Sequence, residues 1–204
     1  MGAMQMKWLR RNRQDRTVVV VSGLPRSGTS MMMQMLQAGG MPVLVDDLRS
    51  ADASNPRGYY EFAPVKRLHQ GDTDWVEQAQ GKAVKVVSPQ LTYLPPSHQY
   101  RIVFMQRALD EVLRSQTAMR TGDTAFDVDQ MRREYERHLV TIRRWLDAQD
   151  AFTALHVDYY DVLRQPKAQS ERVAAFLSGV SAPLDTVAMQ VAVDPALHRQ
   201  RRTE

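Results

Sequence analysis

The stretch VVVVSGLPRSGTSMMMQML, residues 18–36, leaves the fewest choices of fold in this sequence. Four consecutive valines indicate a strand buried on both faces, and Gly23 and Gly28 bracket a loop that precedes a helical run. The segment GLPRSGTS has the glycine spacing of a nucleotide phosphate-binding loop, but Thr29 stands where that loop carries lysine. We therefore predict a strand, a loop and a helix whose first backbone N–H groups face a phosphate.

Three further apolar runs rich in β-branched residues predict strands. The four predicted strands are residues 17–22, 83–88, 101–106 and 152–157. Helical patterns cover residues 27–37, 64–80 (weakly, with a break near Gly71), 109–120, 127–148, 166–177 and 184–191. Strands that alternate with helices imply parallel pairing, so we predict an α/β three-layer fold with a central parallel sheet, like the P-loop nucleoside-triphosphate hydrolases. Residues 1–16 form a basic N-terminal segment, and residues 17–204 form a single domain.

Composition narrows the classes of site. The 204 residues include no cysteine, which excludes disulfides, cysteine metal sites and thiol nucleophiles. The five histidines show no pair at metal-ligand spacing, and no segment is long and apolar enough to span a bilayer, so we expect no metal, no membrane span and a cytoplasmic protein. The net charge of +4 comes from arginines mixed with acids, as in MRREYERH, which predicts solvated helix faces and no nucleic-acid partner. The oligomeric state stays open.

Arg26 is the cation that the loop itself offers. Its guanidinium is a planar fork that can bind two phosphate oxygens at once, whereas lysine is a point charge. The usual lysine reaches the outer phosphates of a triphosphate, so its absence argues against ATP or GTP hydrolysis and favours a shorter phosphate chain. The fingerprint G-x-G-x-x-G is also absent, which argues against NAD. The alternatives are a nucleoside or small-molecule kinase with a degenerate loop and a catalytically silent nucleotide-binding module.

Two segments resemble the sulfotransferases. GLPRSGTSMMMQML is similar to their 5′-phosphosulfate loop, closest to the tyrosylprotein and bacterial enzymes, and RIVFMQRALDEVLRSQ resembles their 3′-phosphate motif through Arg107, Asp110 and Ser115. A weaker similarity in HVDYYDVLRQPKAQSERVAAFL implies that Tyr160 lies near the adenosine. The resemblance implies transfer of a sulfuryl group from 3′-phosphoadenosine 5′-phosphosulfate (PAPS) to a hydroxyl or amine of a small-molecule or peptide acceptor, without a metal. The product nucleotide would be 3′-phosphoadenosine 5′-phosphate (PAP).

The resemblance also implies the residues of the site. Those that would bind the nucleotide are Pro25, Arg26, Ser27, Gly28, Thr29, Ser30, Arg107, Ser115 and Tyr160. Arg26 would neutralise the leaving 5′-phosphate. Lys85 in AVKVVSP would be the second cation, because this segment is similar to the family's K-T-H-x-P; Val87 replaces the histidine that serves there as base.

A carboxylate must then act as the base, as in the tyrosylprotein enzymes. Alignment from Arg26 without a gap gives Asp47, which is followed two residues later by Arg49. A second candidate is Glu61 in NPRGYYEF, whose aromatic neighbours could supply an apolar wall that raises its pKa toward neutrality. The remaining alternatives are Asp46 and no carboxylate base at all. We expect the acceptor under residues 39–62. Aromatic side chains in or near this loop form either a pocket or part of the core: Tyr59, Tyr60, Phe62 and Trp75.

Overall fold

The computed structural model describes residues 17–46, 58–118 and 127–194. Within these ranges, one sheet contains the strands β1 (Thr17–Gly23), β2 (Ala83–Lys85), β3 (Gln99–Gln106) and β4 (Phe152–Asp158). The strand order is β2-β1-β3-β4, and each neighbouring pair is parallel. The carboxyl ends of the strands therefore meet at one edge of the sheet, where ligands bind in α/β folds.

Six α-helices and three 3₁₀ helices lie in the described part of the chain. The α-helices are α1 (Thr29–Ala38), α2 (Leu109–Thr117), α3 (Val128–Asp147), α4 (Tyr159–Arg164), α5 (Pro166–Phe176) and α6 (Thr186–Val191). The 3₁₀ helices are Ala63–Gln70, Asp74–Ala79 and Ser88–Tyr93.

The central strand β1 separates two apolar layers. Every residue of β1 is buried, and its valines alternate between the layers, as the period of two in a strand requires. Val18 and Val20 pack in the core cluster that contains α3 and the 3₁₀ helices, whereas Val19 and Val21 pack in the cluster that contains α1 and α4–α6. The sequence-predicted α/β fold, with a central parallel sheet between two helical layers, is confirmed.

Two local predictions were wrong in extent or type, and one helix was not predicted. The second strand ends at Lys85 rather than Ser88, because Ser88 begins a 3₁₀ helix with a proline in its first turn. Residues 64–80 form two 3₁₀ helices instead of a broken α-helix, and Gly71, with a φ of 83°, ends the first of them. Helix α4 was not predicted; the side chain of Asp158 caps it by accepting a hydrogen bond from the backbone N–H of Tyr160 at 2.7 Å.

The turn from β1 into α1 depends on Gly28. This residue is the N-cap of α1 and has a left-handed backbone, with a φ of 101°. A Cβ at this position would come within 2.5 Å of Cδ2 of Tyr159, at the start of α4. Gly28 therefore provides both the chain reversal and the space that lets α4 pack against the loop.

We predict that Gly28→Ala lowers the free energy of unfolding by more than about 2 kcal/mol, because left-handed strain and the Tyr159 clash add together. Gly40→Ala is the matched control: Gly40 has a φ of 89°, but a Cβ added there would meet nothing within 4 Å. This control should lose only the strain, about 1 kcal/mol. Urea unfolding of both variants measures the difference, and equal losses would show that the Tyr159 contact has no energetic weight.

Candidate functional site

The loop between β1 and α1 presents the amino end of a helix to the carboxyl edge of the sheet. Ser27 N donates to Leu24 O at 3.1 Å and closes the turn, and no side chain caps α1. The first N–H groups of a helix have no partner within the helix, and together with the helix dipole they favour an anion. Arg26 lies in this loop with a φ of 75°, a conformation that is uncommon for a residue other than glycine.

Other predicted loop residues have structural contacts. Pro25 O accepts a hydrogen bond from Nε2 of Gln116 at 3.2 Å, which links the loop to α2. Ser27 is 1% exposed, and its hydroxyl lies against Gly23, where a Cβ would come within 2.5 Å of it. Thr29, in the position of the usual lysine, is buried in the first turn of α1. These contacts hold the backbone of the loop in place.

The predicted 5′- and 3′-phosphate elements touch each other. Nε of Arg26 donates to Oγ of Ser115 at 2.9 Å, and Nη1 of Arg107 donates to the carbonyl of Arg26 at 3.2 Å. Arg107 follows β3 directly, and β3 pairs with β1, so the sheet itself brings the two elements together. Two guanidinium groups thus lie beside the uncapped amino end of α1, as a site for a polyanion requires.

Arg107 is held by a buried carboxylate that sequence reasoning missed. Its Nε donates to Oε2 of Glu111 at 2.9 Å, and the Glu111 side chain is fully buried. The sequence motif includes the neighbouring Asp110 and not Glu111; Asp110 is exposed and pairs with Arg132 of α3. The one available signal was the four-residue separation of Arg107 and Glu111, which here spans the start of α2.

Two consecutive tyrosines complete the surroundings of Arg107. The Arg107 guanidinium lies 4.4 Å from the ring centre of Tyr159, within the range of a cation–π contact. The hydroxyl of Tyr160 donates to Oε1 of Glu111, the oxygen that Arg107 does not use. Burial raises the pKa of Tyr159, so its ring stays neutral at physiological pH. Tyr160, predicted beside the adenosine, therefore adjoins the 3′-phosphate element.

Lys85 lies at the carboxyl end of β2 with its side chain buried. Its Nζ donates to the carbonyl of Tyr59, and Oγ of Ser30 donates to the same carbonyl at 3.2 Å. Because Ser30 is in the first turn of α1, this shared acceptor holds the Lys85 ammonium near the amino end of the helix.

Of the two main candidate bases, the structure describes Glu61 but not Asp47. Asp47 and Arg49 lie outside the described residues. Glu61 forms an ion pair with Lys66 at 2.8 Å, with 19% of its side chain exposed. A cation therefore adjoins the carboxylate of Glu61, and its role as the base stays a prediction. The hydroxyl of Tyr60 is turned away to Oε1 of Gln37, at 2.7 Å.

A histidine to which the sequence assigned no role lies just beyond β2. Nε2 of His138, in α3, is 2.9 Å from Oγ of Ser88, three residues after Lys85. Burial lowers the pKa of His138, so the imidazole is neutral near pH 7 and able to accept a proton. No local signal could have revealed this contact, since it joins residues 50 positions apart.

Two of the four aromatic side chains, Tyr59 and Trp75, belong to the core, and Tyr60 and Phe62 pack against it half-buried. Trp75 is 3% exposed and Tyr59 is 5% exposed. The rings of Phe62 and Trp75 meet edge to face with centroids 5.7 Å apart. Of the two alternatives stated for these residues, the structure favours packing.

Two features are absent from residues 17–46, 58–118 and 127–194. No helix there has the length and apolar character needed to cross a membrane. No cluster of three or more histidine, aspartate or glutamate side chains is arranged to hold a metal ion.

No family model and no curated protein matches the sequence. Among solved structures, the chain is similar to the sulfotransferase domain of the olefin synthase of Synechococcus PCC 7002. The two sequences are 16% identical, the match covers 91% of this chain and 83% of that chain, and the TM-score is 0.48. It is also similar to a sugar kinase from Janibacter sp. HTCC2649, with 17% identity, coverage of 82% of this chain and 96% of that chain, and a TM-score of 0.38. Because both TM-scores are below 0.5, interpretation of the site depends on its own geometry.

Proposed function

We propose that this protein is a PAPS-dependent sulfotransferase, which moves a sulfuryl group to a hydroxyl or amine of an acceptor. The observation that carries the proposal is the contact between the two anion-binding elements, Arg26 Nε to Ser115 Oγ at 2.9 Å. A nucleotide with phosphates at both ends of one ribose needs two such elements side by side, whereas a linear triphosphate needs one extended cradle. The donor set consists of helix N–H groups, two guanidinium groups and hydroxyls, which suits phosphate oxygens.

The position of each residue suggests which part of the nucleotide it would bind. Arg26 and the amino end of α1 would hold the 5′ side, and Arg107 with Ser115 would hold the 3′-phosphate. When bound, the donor supplies the sulfuryl group and a bridging oxygen that gains negative charge as the sulfur–oxygen bond breaks. Arg26 and Lys85 would stabilise that charge, and such preorganised electrostatic stabilisation is usually the largest contribution to catalysis. The left-handed backbone of Arg26 is the kind of strain that collects at functional sites.

Nucleotide binding provides the first test. We expect PAP to stabilise the protein by about 2.7 kcal/mol at a hundredfold excess over its Kd, and 5′-AMP to stabilise it less at the same concentration, because 5′-AMP lacks the 3′-phosphate. Thermal denaturation with PAP, 5′-AMP and ATP plus Mg²⁺ measures this order. Transfer is then followed from radiolabelled PAPS to a panel of phenols, aliphatic alcohols and amines.

Arg26→Ala should remove transfer and most of the PAP stabilisation, whereas Arg26→Lys retains the charge and loses only the planar fork. Stabilisation by ATP plus Mg²⁺ but not by PAP would reject the proposal in favour of a kinase. Stabilisation by PAP without transfer to any acceptor class would instead favour a silent nucleotide-binding module.

A substitution of Glu111 tests whether Arg107 binds the 3′-phosphate independently of the 5′ side. Glu111→Gln removes the negative charge beside the buried Arg107, so we expect the free energy of unfolding to fall by about 3 kcal/mol. If Arg107 binds the 3′-phosphate, PAP replaces the missing charge and stabilises the variant more than it stabilises the wild type. 5′-AMP cannot do so. Urea unfolding and thermal shifts with both nucleotides measure these effects.

The matched control is Asp110→Asn, the neighbouring exposed acid, which should change stability by less than about 0.5 kcal/mol. If PAP and 5′-AMP shift Glu111→Gln by the same amount, Arg107 does not bind the 3′-phosphate.

The base is tested by comparing Asp47→Asn with Glu61→Gln in single-turnover transfer. We propose a carboxylate base, so one variant should lose about 10²- to 10⁴-fold in rate while the other stays near the wild type. If His138→Gln loses the transfer rate while both carboxylate variants keep it, the neutral imidazole beside Ser88 removes the proton instead. PAP-induced thermal shifts of each variant show whether the nucleotide site remains intact.

A further inference from the structure

A cavity of about 440 Å³ lies on the α3 side of the sheet, between α3, the carboxyl halves of β3 and β4, and the start of α2. Its volume falls in the range of small-molecule sites. Most of the wall is apolar, formed by Leu24, Phe104, Met105, Val112, Leu139, Ile142 and Leu146. Such a wall suits the apolar body of a ligand.

The charged groups around this cavity all have one sign. Arg107, Arg143 and Arg144 line it, and no aspartate or glutamate does. The charge of Arg107 is matched by Glu111, but Arg143 and Arg144 are exposed and form no ion pair within the described residues. Arg143 and Arg144 are consecutive in α3 and both line this largely apolar cavity, and a guanidinium group is a strong donor to a carboxylate.

His156 lies in the wall of the same cavity. Its buried Nδ1 has no hydrogen-bond partner in the described chain. Burial lowers the pKa of His156, and the charges of Arg143 and Arg172 lower it further, while Asp147 opposes them. Asp147 itself does not line the cavity.

We propose that this cavity binds a small amphiphilic carboxylate, such as a medium-chain fatty acid. The apolar chain would fill the space under α3, and the carboxylate would bind Arg143 and Arg144. The cavity shares Ser27 and Arg107 with the proposed nucleotide site, whereas the proposed head-group contacts come from Arg143 and Arg144 of α3. Octanoate binding is therefore expected whichever nucleotide the protein uses.

Octanoate is the probe, and 1-octanol is the uncharged comparison. Isothermal titration calorimetry on the full chain should show octanoate binding about fivefold more tightly than 1-octanol, since Arg143 and Arg144 are exposed to water. In Arg143→Gln/Arg144→Gln that ratio should fall to about one, because only the head-group contact is lost. The control Arg133→Gln/Arg137→Gln, which makes the same charge change on the same helix outside the cavity wall, should keep the wild-type ratio.

A second pair of variants tests the cavity itself. Val140 lines the cavity with 52% of its surface exposed, so Val140→Trp can cover the mouth without disturbing the core, and it should weaken both probes about tenfold. The control is Val187→Trp on α6, where Val187 is 68% exposed, and it should change neither affinity. Equal affinity of octanoate and 1-octanol for the wild type, equal effects of the two arginine pairs, or unchanged binding in Val140→Trp would each overturn the proposal. Absence of any octanoate binding would overturn it as well.

Discussion

The buried carboxylate of Glu111 is the contact on which the organisation of the candidate site depends. One oxygen accepts from Arg107, which follows β3, and the other accepts from Tyr160, which follows β4. A fully buried carboxylate is costly unless its partners are charged or donate hydrogen bonds, and here both oxygens have such a partner. Glu111 therefore ties two strand ends together and holds Arg107 in one position. Arg107 in turn bonds the carbonyl of Arg26, so the same network reaches the loop after β1.

The strand order makes this network possible. Because β1 lies between β2 and β3, the loop after β1 has Lys85 on one side and Arg107 on the other. Residues far apart in sequence, such as Arg26 and Ser115, come within hydrogen-bond distance because their strands β1 and β3 are neighbours. A different strand order with the same sequence elements would separate the two anion-binding elements. The order is therefore as important to the proposed function as the residues themselves.

Sequence patterns predicted the sheet and the loop because these depend on local signals. The four valines, the glycine spacing and the alternation of strand and helix patterns can each be read from a short stretch of sequence, and the structure agrees with them. The end of β2 was misjudged because a run of valines continues past Lys85, whereas the proline that follows Ser88 favours a 3₁₀ turn. The carboxylate that holds Arg107 was missed because the motif contains Asp110 and not Glu111, and only the packing of α2 buries Glu111 beside Arg107. The contact of His138 with Ser88 depends on how α3 crosses the sheet, which no local pattern encodes.

The missing lysine of the loop can now be understood from the neighbouring strand. In a nucleotide P-loop the ammonium comes from the first turn of the helix, but here that position is the buried Thr29. Lys85 comes from β2 instead, and its ammonium shares the carbonyl of Tyr59 with Ser30 of α1. The cation thus approaches the helix end from the side, and Arg26 provides a second cation from within the loop. Under the proposed function, the amino end of α1 is then open to a single 5′-phosphate, and Arg26 and Lys85 lie on opposite sides of this leaving group. A triphosphate-binding loop instead has one lysine that extends along the phosphate chain.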